Sequence, residues 1–156
     1  MVLLHLLLVL IVGPPAATEG QAPLQAAPGV AVIVHEDVPV ASVDASEVRR
    51  LFLLRQRFWA DRVPVTPVNL PATSAVRERF SRVYLRSSTQ ALSAYFKDLY
   101  FHGTRPPQVL ESEEAVALYV ARTPGAVGYV SVRFLAAGLP AGVRVVHETA
   151  PVEGGN

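Results

Sequence analysis

The chain has 156 residues, a formal net charge of +1 and no cysteine. The lack of cysteine excludes disulfides, thiolate metal sites and attachment as a lipid-anchored bacterial lipoprotein. The near-neutral charge gives no indication of nucleic-acid binding. The part of the chain after residue 20 has the length of one domain, which is enough to bury a sizeable core.

The first residues after Met1 form an apolar run that Gly13 and two prolines interrupt. This run is shorter than the roughly 20 residues that span a bilayer. Small residues follow it, so we predict a signal peptide over residues 1–17, cleaved near Ala17 or alternatively near Ala26. A membrane anchor that stays attached is the alternative. The further predicted segments are a linker at residues 18–29, a folded domain at residues 30–150 and a disordered tail at residues 151–156.

Strand-like and helix-like patterns alternate in the first half of the domain. Residues 30–35 form a β-branched apolar run that is typical of a buried strand. Asp44 and Glu47 form a capping box ahead of a short helix, which should end before Trp59. Residues 64–69 are predicted to form a second strand, and the prolines within it favour a sheet edge or a strand start.

Helices dominate the second half. The predicted helix starts are Thr73 or Ser74, Ser88 with Thr89, and Ser112, and the predicted strands are residues 126–132 and 144–147. The helix that follows Ser88 is expected to turn Leu92, Tyr95, Phe96, Leu99 and Tyr100 inward. Strands separated by helices indicate an α/β fold, here with a small sheet.

Basic residues are concentrated in one segment. Nine arginines lie between residues 49 and 86, against only Asp61 and Glu78, which gives this segment a local charge of +7. Guanidinium groups match the oxygens of carboxylates and phosphates. The segment is therefore a candidate anion-binding or partner-binding surface, and the alternative is a set of solvated helix faces. Lys97 is the only lysine.

No catalytic motif is found in the sequence. The nucleophile elbow, the zinc-protease motif, the Walker A loop and the Rossmann glycine pattern are all absent. We therefore expect no enzyme activity and no cofactor. Two His–Glu neighbours, at residues 35–36 and 147–148, could offer metal ligands at one sheet edge, but they lack diagnostic ligand spacing. We interpret them as surface residues at strand ends and expect no metal site.

Three motifs carry a resemblance to a known family. Residues 48–59 read Val-Arg-Arg-Leu-Phe-Leu-Leu-Arg-Gln-Arg-Phe-Trp, residues 74–80 read Ser-Ala-Val-Arg-Glu-Arg-Phe, and residues 124–130 read Pro-Gly-Ala-Val-Gly-Tyr-Val. In order and spacing they resemble one lobe of the periplasmic phosphate-binding proteins of ABC transporters, and among these a subgroup of short, single-lobe exported proteins. The resemblance implies a single periplasmic-binding-protein-type α/β lobe, with a small mixed sheet flanked by helices, in a periplasmic protein. The family's glycine in the first motif is replaced by Leu54.

The same resemblance implies a place for phosphate at the start of the second predicted helix. The family pattern there is R-x-D-G-S-G-T, in which backbone N–H groups, hydroxyls and an arginine hold the anion. This chain keeps Ser74 but has Leu70, Ala72, Ala75 and Val76 where the family has arginine, aspartate, glycine and threonine. The expected ligand-binding residues are Thr73, Ser74 and Arg77. An ordinary helix cap is the alternative role of Thr73 and Ser74, and a surface position is the alternative for Arg77.

Two functions remain open at this stage. The first is a solute-binding module for phosphate or another small oxyanion, which works with a membrane permease. The second is a sensory or protein-interaction module that keeps the fold, has lost the phosphate site and docks an acidic partner or a membrane receptor through its arginines. Neither function involves nucleic acid.

Overall fold

The structure is a computed structural model and describes residues 29–149. The predicted signal peptide at residues 1–17, the predicted tail at residues 151–156 and all but the last residue of the predicted linker lie outside this range. The strands are β1 (Val30–His35), β2 (Thr66–Asn69), β3 (Gln108–Val109), β4 (Ala126–Ser131) and β5 (Val143–Glu148). The α-helices are α1 (Ala45–Phe52), α2 (Ala75–Phe80), α3 (Thr89–Phe101), α4 (Glu113–Arg122) and α5 (Val132–Ala136), with a 3₁₀ turn at Ala60–Arg62 and a π-helical segment at Ser81–Leu85.

The strands form one mixed, open sheet in the order β3-β2-β4-β1-β5. β1 pairs antiparallel with β4 and with β5, whereas β2 runs parallel to β4 and to β3. Helix α4 packs against β4 and β1, and α2 contacts the same two strands. The predicted fold class, a small mixed sheet flanked by helices, is confirmed.

The two central strands are buried along their whole length. All six residues of β1 and all six of β4 are buried, which explains why residues 30–34 and 126–131 are apolar or small instead of alternating. His35 at the end of β1 is buried as well, and not at the surface as predicted. Phe80 stacks on Tyr129 with 3.8 Å between ring centroids, and Phe52 meets Phe80 edge-on at 4.6 Å. These rings join α1, α2 and β4 into one core.

The predicted helix starts are confirmed by side-chain caps. Asp44, Ser74, Ser88 and Ser112 each accept a hydrogen bond from the backbone N–H three residues later. Such caps satisfy N–H groups that have no partner within the helix. Their positions are readable from sequence because both partners lie within one turn.

Trp59 and Gly125 connect the first and third motifs. Trp59 is buried, and its indole N–H donates to the Gly125 carbonyl oxygen at 2.9 Å. Gly125 has a φ of +76°, and a Cβ at this position would lie 2.1 Å from the Pro64 carbonyl oxygen. Glycine is therefore required here both by backbone conformation and by space.

Leu54 occupies a left-handed backbone conformation with a φ of 58°. This is the position where the family motif carries glycine, and glycine adopts such a φ without a steric penalty. The loop after α1 thus keeps the conformation that suits glycine, although the residue is leucine.

The prolines within residues 64–69 favoured a sheet edge or a strand start, and the second alternative holds. β2 lies between β3 and β4, but Pro67 is near its start and has a strand neighbour on one side alone, because β3 begins only opposite Val68. Tyr100 was expected inward but is 62% exposed, since only Leu92 and Phe96 of α3 are fully buried. Strand β3 and helix α5 were not predicted, as two and five residues are too short to show a period.

Candidate functional site

Arg77 lies in the first turn of α2, which follows the carboxyl end of β2 after a short turn. Ser74 caps this helix, and its hydroxyl oxygen accepts the Arg77 backbone N–H at 3.3 Å. The cap fixes the start of the helix, so the Arg77 side chain is directed back toward Leu70, where its Nη1 donates to the carbonyl oxygen at 2.9 Å. The turn between strand and helix thereby holds the guanidinium in one place.

The Arg77 guanidinium is buried and has no counter-charge among the residues that the structure describes. The residue is only 6% exposed, and its Nε has no hydrogen-bond partner. Within residues 29–149, no carboxylate forms an ion pair with it. Taking an ion out of water costs several kcal/mol unless a partner of opposite charge compensates it. The arrangement is therefore complementary to an anion.

Arg77 borders a cleft of about 380 Å³ at the carboxyl ends of β2 and β3. Ends of parallel strands are the usual place for ligands in open α/β sheets. The lining residues are Asn69, Ala72, Arg77, Ser93, Phe96, Lys97, Tyr100, Pro106, Pro107 and Val109. Two of them, Arg77 and Lys97, are cationic and none is acidic, so the cleft carries positive charge.

Asn69 is held at the base of the cleft by Tyr129. The Tyr129 hydroxyl donates to Asn69 Oδ1 at 3.1 Å and accepts the Leu70 backbone N–H at 3.2 Å. Burial raises the pKa of Tyr129 to about 12, although the nearby charge of Arg77 acts in the opposite direction. Tyr129 is therefore neutral at physiological pH, and its hydrogen bond to Oδ1 leaves the Asn69 amide nitrogen available as a donor.

The three predicted ligand-binding residues have different environments. Arg77 lines the cleft, whereas Thr73 is exposed on the preceding turn and Ser74 is half-buried as the helix cap. Neither hydroxyl residue is among those that line the cleft, so their ligand role stays a prediction. Sequence reasoning missed Asn69 and Lys97 as site residues. The status of Lys97 as the only lysine was the one signal for it.

A larger cleft of about 530 Å³ lies at the other end of β2, beside Pro64 and Phe58. Its arginine at position 57 already donates to the Thr104 hydroxyl. No buried polar atom without a partner is found among its lining residues. The larger cleft therefore has only its size in its favour. The smaller cleft contains the buried Arg77 guanidinium, which has no ion-pair partner among the described residues, and is the better candidate site.

The two His–Glu neighbours do not share a sheet edge. In the antiparallel pairing of β1 with β5, His35 is opposite Val143 and His147 is opposite Val32, so the two histidines lie at opposite ends of the ladder. No group of three potential metal ligands occurs between residues 29 and 149. In the same part of the chain, no helix is long and apolar enough to cross a membrane.

Several solved structures share this fold. An ABC-type phosphate transport receptor from Vibrio cholerae matches with a TM-score of 0.58 and 17% sequence identity, over 76% of this chain and 45% of its own. A phosphate ABC transporter substrate-binding protein from Clostridium perfringens, solved with bound phosphate, matches with a TM-score of 0.60 and 17% identity, over 76% of this chain and 44% of its own. PstS from Borrelia burgdorferi matches with a TM-score of 0.62 and 12% identity, over 76% of this chain and 46% of its own.

The chain thus spans less than half the length of these solved structures. No protein-family model matches the sequence, and no curated protein matches it at the sequence level. At this level of identity the similarity establishes the fold, which is that of a lobe of phosphate-binding proteins, and leaves the chemistry to be argued from the site.

Proposed function

We propose that this domain is a solute-binding module, and not an enzyme, that binds a small inorganic oxyanion such as phosphate or sulfate in the Arg77 cleft. The observation that carries the proposal is the buried Arg77 guanidinium, which has no carboxylate partner in the described part of the chain. The similarity to phosphate-binding proteins supports the same class of ligand. It also supports an exported, periplasmic protein that delivers its ligand to an ABC permease.

The charges of the cleft match a dianion. Arg77 and Lys97 supply two positive charges, and Asn69 supplies an amide donor. The guanidinium is already held by Leu70, so little side-chain entropy is lost when the anion binds. Binding would replace an uncompensated buried charge with a charge-assisted hydrogen bond, which is stronger than a neutral one.

The lining side chains also affect which oxyanion is bound. No aspartate or glutamate lines the cleft, and Ala72 occupies the place of the family's aspartate. A protonated phosphate needs an acceptor for its hydrogen, whereas sulfate does not. We therefore expect phosphate and sulfate to bind with affinities that differ by less than about tenfold, which corresponds to about 1.4 kcal/mol.

Residues 29–149 cover only one side of the anion. The cleft is larger than an inorganic oxyanion requires and is open to water, so affinity should be modest in the absence of a second surface. The solved relatives are more than twice as long as the segment they match. A second lobe or a partner protein would close the cleft and raise the affinity by excluding water.

Thermal unfolding and calorimetric titration test the proposal. The protein is titrated with phosphate, sulfate, molybdate and acetate at constant ionic strength. Ligand at about 100 times its Kd adds about 2.7 kcal/mol to the free energy of unfolding, which raises Tm by several degrees. The Lys97→Gln variant should lose most of this shift, and Arg122→Gln, an exposed arginine at the end of α4, should keep it.

Two results would contradict the proposal. One is the absence of any shift with phosphate or sulfate. The other is an equal shift in wild type, in Lys97→Gln and in Arg77→Met, which would place the binding elsewhere. Because Arg77 also holds the Leu70 carbonyl, the fold of Arg77→Met is checked first by circular dichroism.

A further inference from the structure

Three arginines converge on a different face of the domain. Arg49 projects from α1, Arg55 from the loop after α1, and Arg86 from the end of the π-helical segment. They line two adjoining pockets of about 190 and 240 Å³, and Arg49 and Arg86 border both. We refer to Arg49, Arg55 and Arg86 as the arginine face.

The backbone around Arg86 is unusual. The π-helical segment Ser81–Leu85 ends with the Arg86 N–H donating to the Ser81 carbonyl, and Arg86 itself is left-handed with φ 52° and ψ 42°. A non-glycine residue in this region is strained, and π-helical turns occur frequently at functional sites. The wide turn brings the Arg86 side chain beside Arg49, although the two residues are far apart in the sequence.

The charges of the arginine face are not compensated within residues 29–149. None of the three guanidinium groups forms an ion pair there, and the Arg49 Nε is buried without a hydrogen-bond partner. The neighbouring Arg50, by contrast, donates to Gln56 and to Ser46. Like charges that lie close together repel one another, so this surface is electrostatically complementary to an anionic partner.

We propose that the arginine face is a docking surface for an acidic segment of a partner protein. Small-molecule sites usually occupy about 300 to 1,000 Å³, and both pockets are smaller. They are of a size to receive single side chains, as the anchor pockets of protein interfaces do. Leu53, Leu85 and Leu92 line one pocket, so they can contact the methylene groups of a glutamate whose carboxylate meets the guanidinium groups.

This surface is separate from the Arg77 cleft. No residue lines both the cleft and the pockets beside the arginine face. Helix α3 contributes Leu92 and Tyr95 to one of those pockets and Ser93 and Lys97 to the cleft. An anion bound in the cleft therefore contacts none of the three arginines of the arginine face. A partner docked on the arginine face need not displace a bound anion, and the two functions can be tested independently.

The test uses fluorescence anisotropy at low ionic strength with a fluorescein-labelled peptide of glutamate and serine. The matched peptide carries glutamine in place of glutamate. Arg86→Gly and Arg49→Gln should each weaken binding of the glutamate peptide by about tenfold, as loss of a charge-assisted hydrogen bond implies. The matched control Arg122→Gln should change it by less than about twofold, because an exposed charge elsewhere contributes little.

Arg86→Gly keeps the test interpretable. Glycine adopts the left-handed conformation at position 86 without strain, so this variant should unfold at the same or a higher urea concentration than wild type. Lost peptide binding with intact stability would support the proposal. It is overturned if the glutamate peptide does not bind, if the glutamine peptide binds equally, or if Arg122→Gln weakens binding as much.

Discussion

Gly125, in the third motif, and Gly103 allow two costs to be measured separately. One is the cost of a steric clash, and the other is the cost of a left-handed backbone conformation. Both residues have nearly the same φ, +76° at Gly125 and +79° at Gly103. A Cβ at Gly103 would meet nothing within 4 Å, whereas a Cβ at Gly125 would meet the Pro64 carbonyl oxygen at 2.1 Å. Substitution by alanine therefore imposes the same left-handed penalty at both positions and a clash at only one.

The two variants should differ clearly in stability. Gly103→Ala should lower the free energy of unfolding by about 1 kcal/mol, the usual cost of a left-handed L-residue. Gly125→Ala adds a displacement of the backbone before β2. It also disturbs two hydrogen bonds to the Gly125 carbonyl, from Trp59 at 2.9 Å and from the Thr66 N–H at 3.1 Å. At about 1 kcal/mol for each bond, the total is at least about 3 kcal/mol.

Urea unfolding measures this difference. Trp59 is the only tryptophan and is buried against Gly125, so its fluorescence reports directly on this contact. Far-UV circular dichroism followed in parallel shows whether unfolding is two-state. Equal destabilisation by Gly125→Ala and Gly103→Ala would refute the reasoning, because the close approach to Pro64 would then have no energetic consequence.

Three further predictions concern strain, titration and capping. Leu54→Gly should be more stable than Leu54→Ala by about 1 kcal/mol, since both remove the side chain but only glycine relieves the left-handed φ of 58°; equal urea midpoints would contradict this. Burial raises the pKa of Tyr129 and of Tyr84 to about 12, from an ordinary value of 10.0. The unfolded chain therefore ionises first, so the contribution of these two tyrosines to stability is fully present below about pH 10 and is lost as the pH rises toward 12. Tyr129→Phe should show a smaller fall over this range, and a fall of the same size in that variant would refute the assignment. Ser74→Ala should cost about 1 kcal/mol through loss of the helix cap and should weaken anion binding less than Lys97→Gln does, which calorimetry can measure; the reverse order would assign the Ser74 hydroxyl to the ligand.

Features that depend on residues close together in the sequence were predicted well. The capping serines, the start of α1 at Asp44 and the buried strand at residues 30–35 all depend on contacts within a few positions. Hydrophobic periodicity and cap chemistry are complete within such a window. For the same reason the sequence predicted that Arg77 lies in the first turn of a helix.

The composition of the candidate site could not be derived in this way. Tyr129 orients Asn69 across 60 positions of the chain, and Lys97 reaches the cleft from a different helix. Whether the Arg77 guanidinium has a carboxylate partner depends on which elements surround it, and no local pattern contains that information. The exposure of Tyr100 was missed because α3 covers the core with only part of its length.

The sequence by itself determined the helix caps, the start of α1 and the buried strand at residues 30–35, because each depends on contacts within a short segment. The requirement for glycine at position 125 depends also on the Pro64 carbonyl, which is distant in the chain. Only the tertiary structure decided the strand order β3-β2-β4-β1-β5, the uncompensated charge of Arg77 and the meeting of Arg49 with Arg86. These features arise from contacts between segments that are distant in the chain. Their effect on the free energy of folding depends on how deeply the groups are buried.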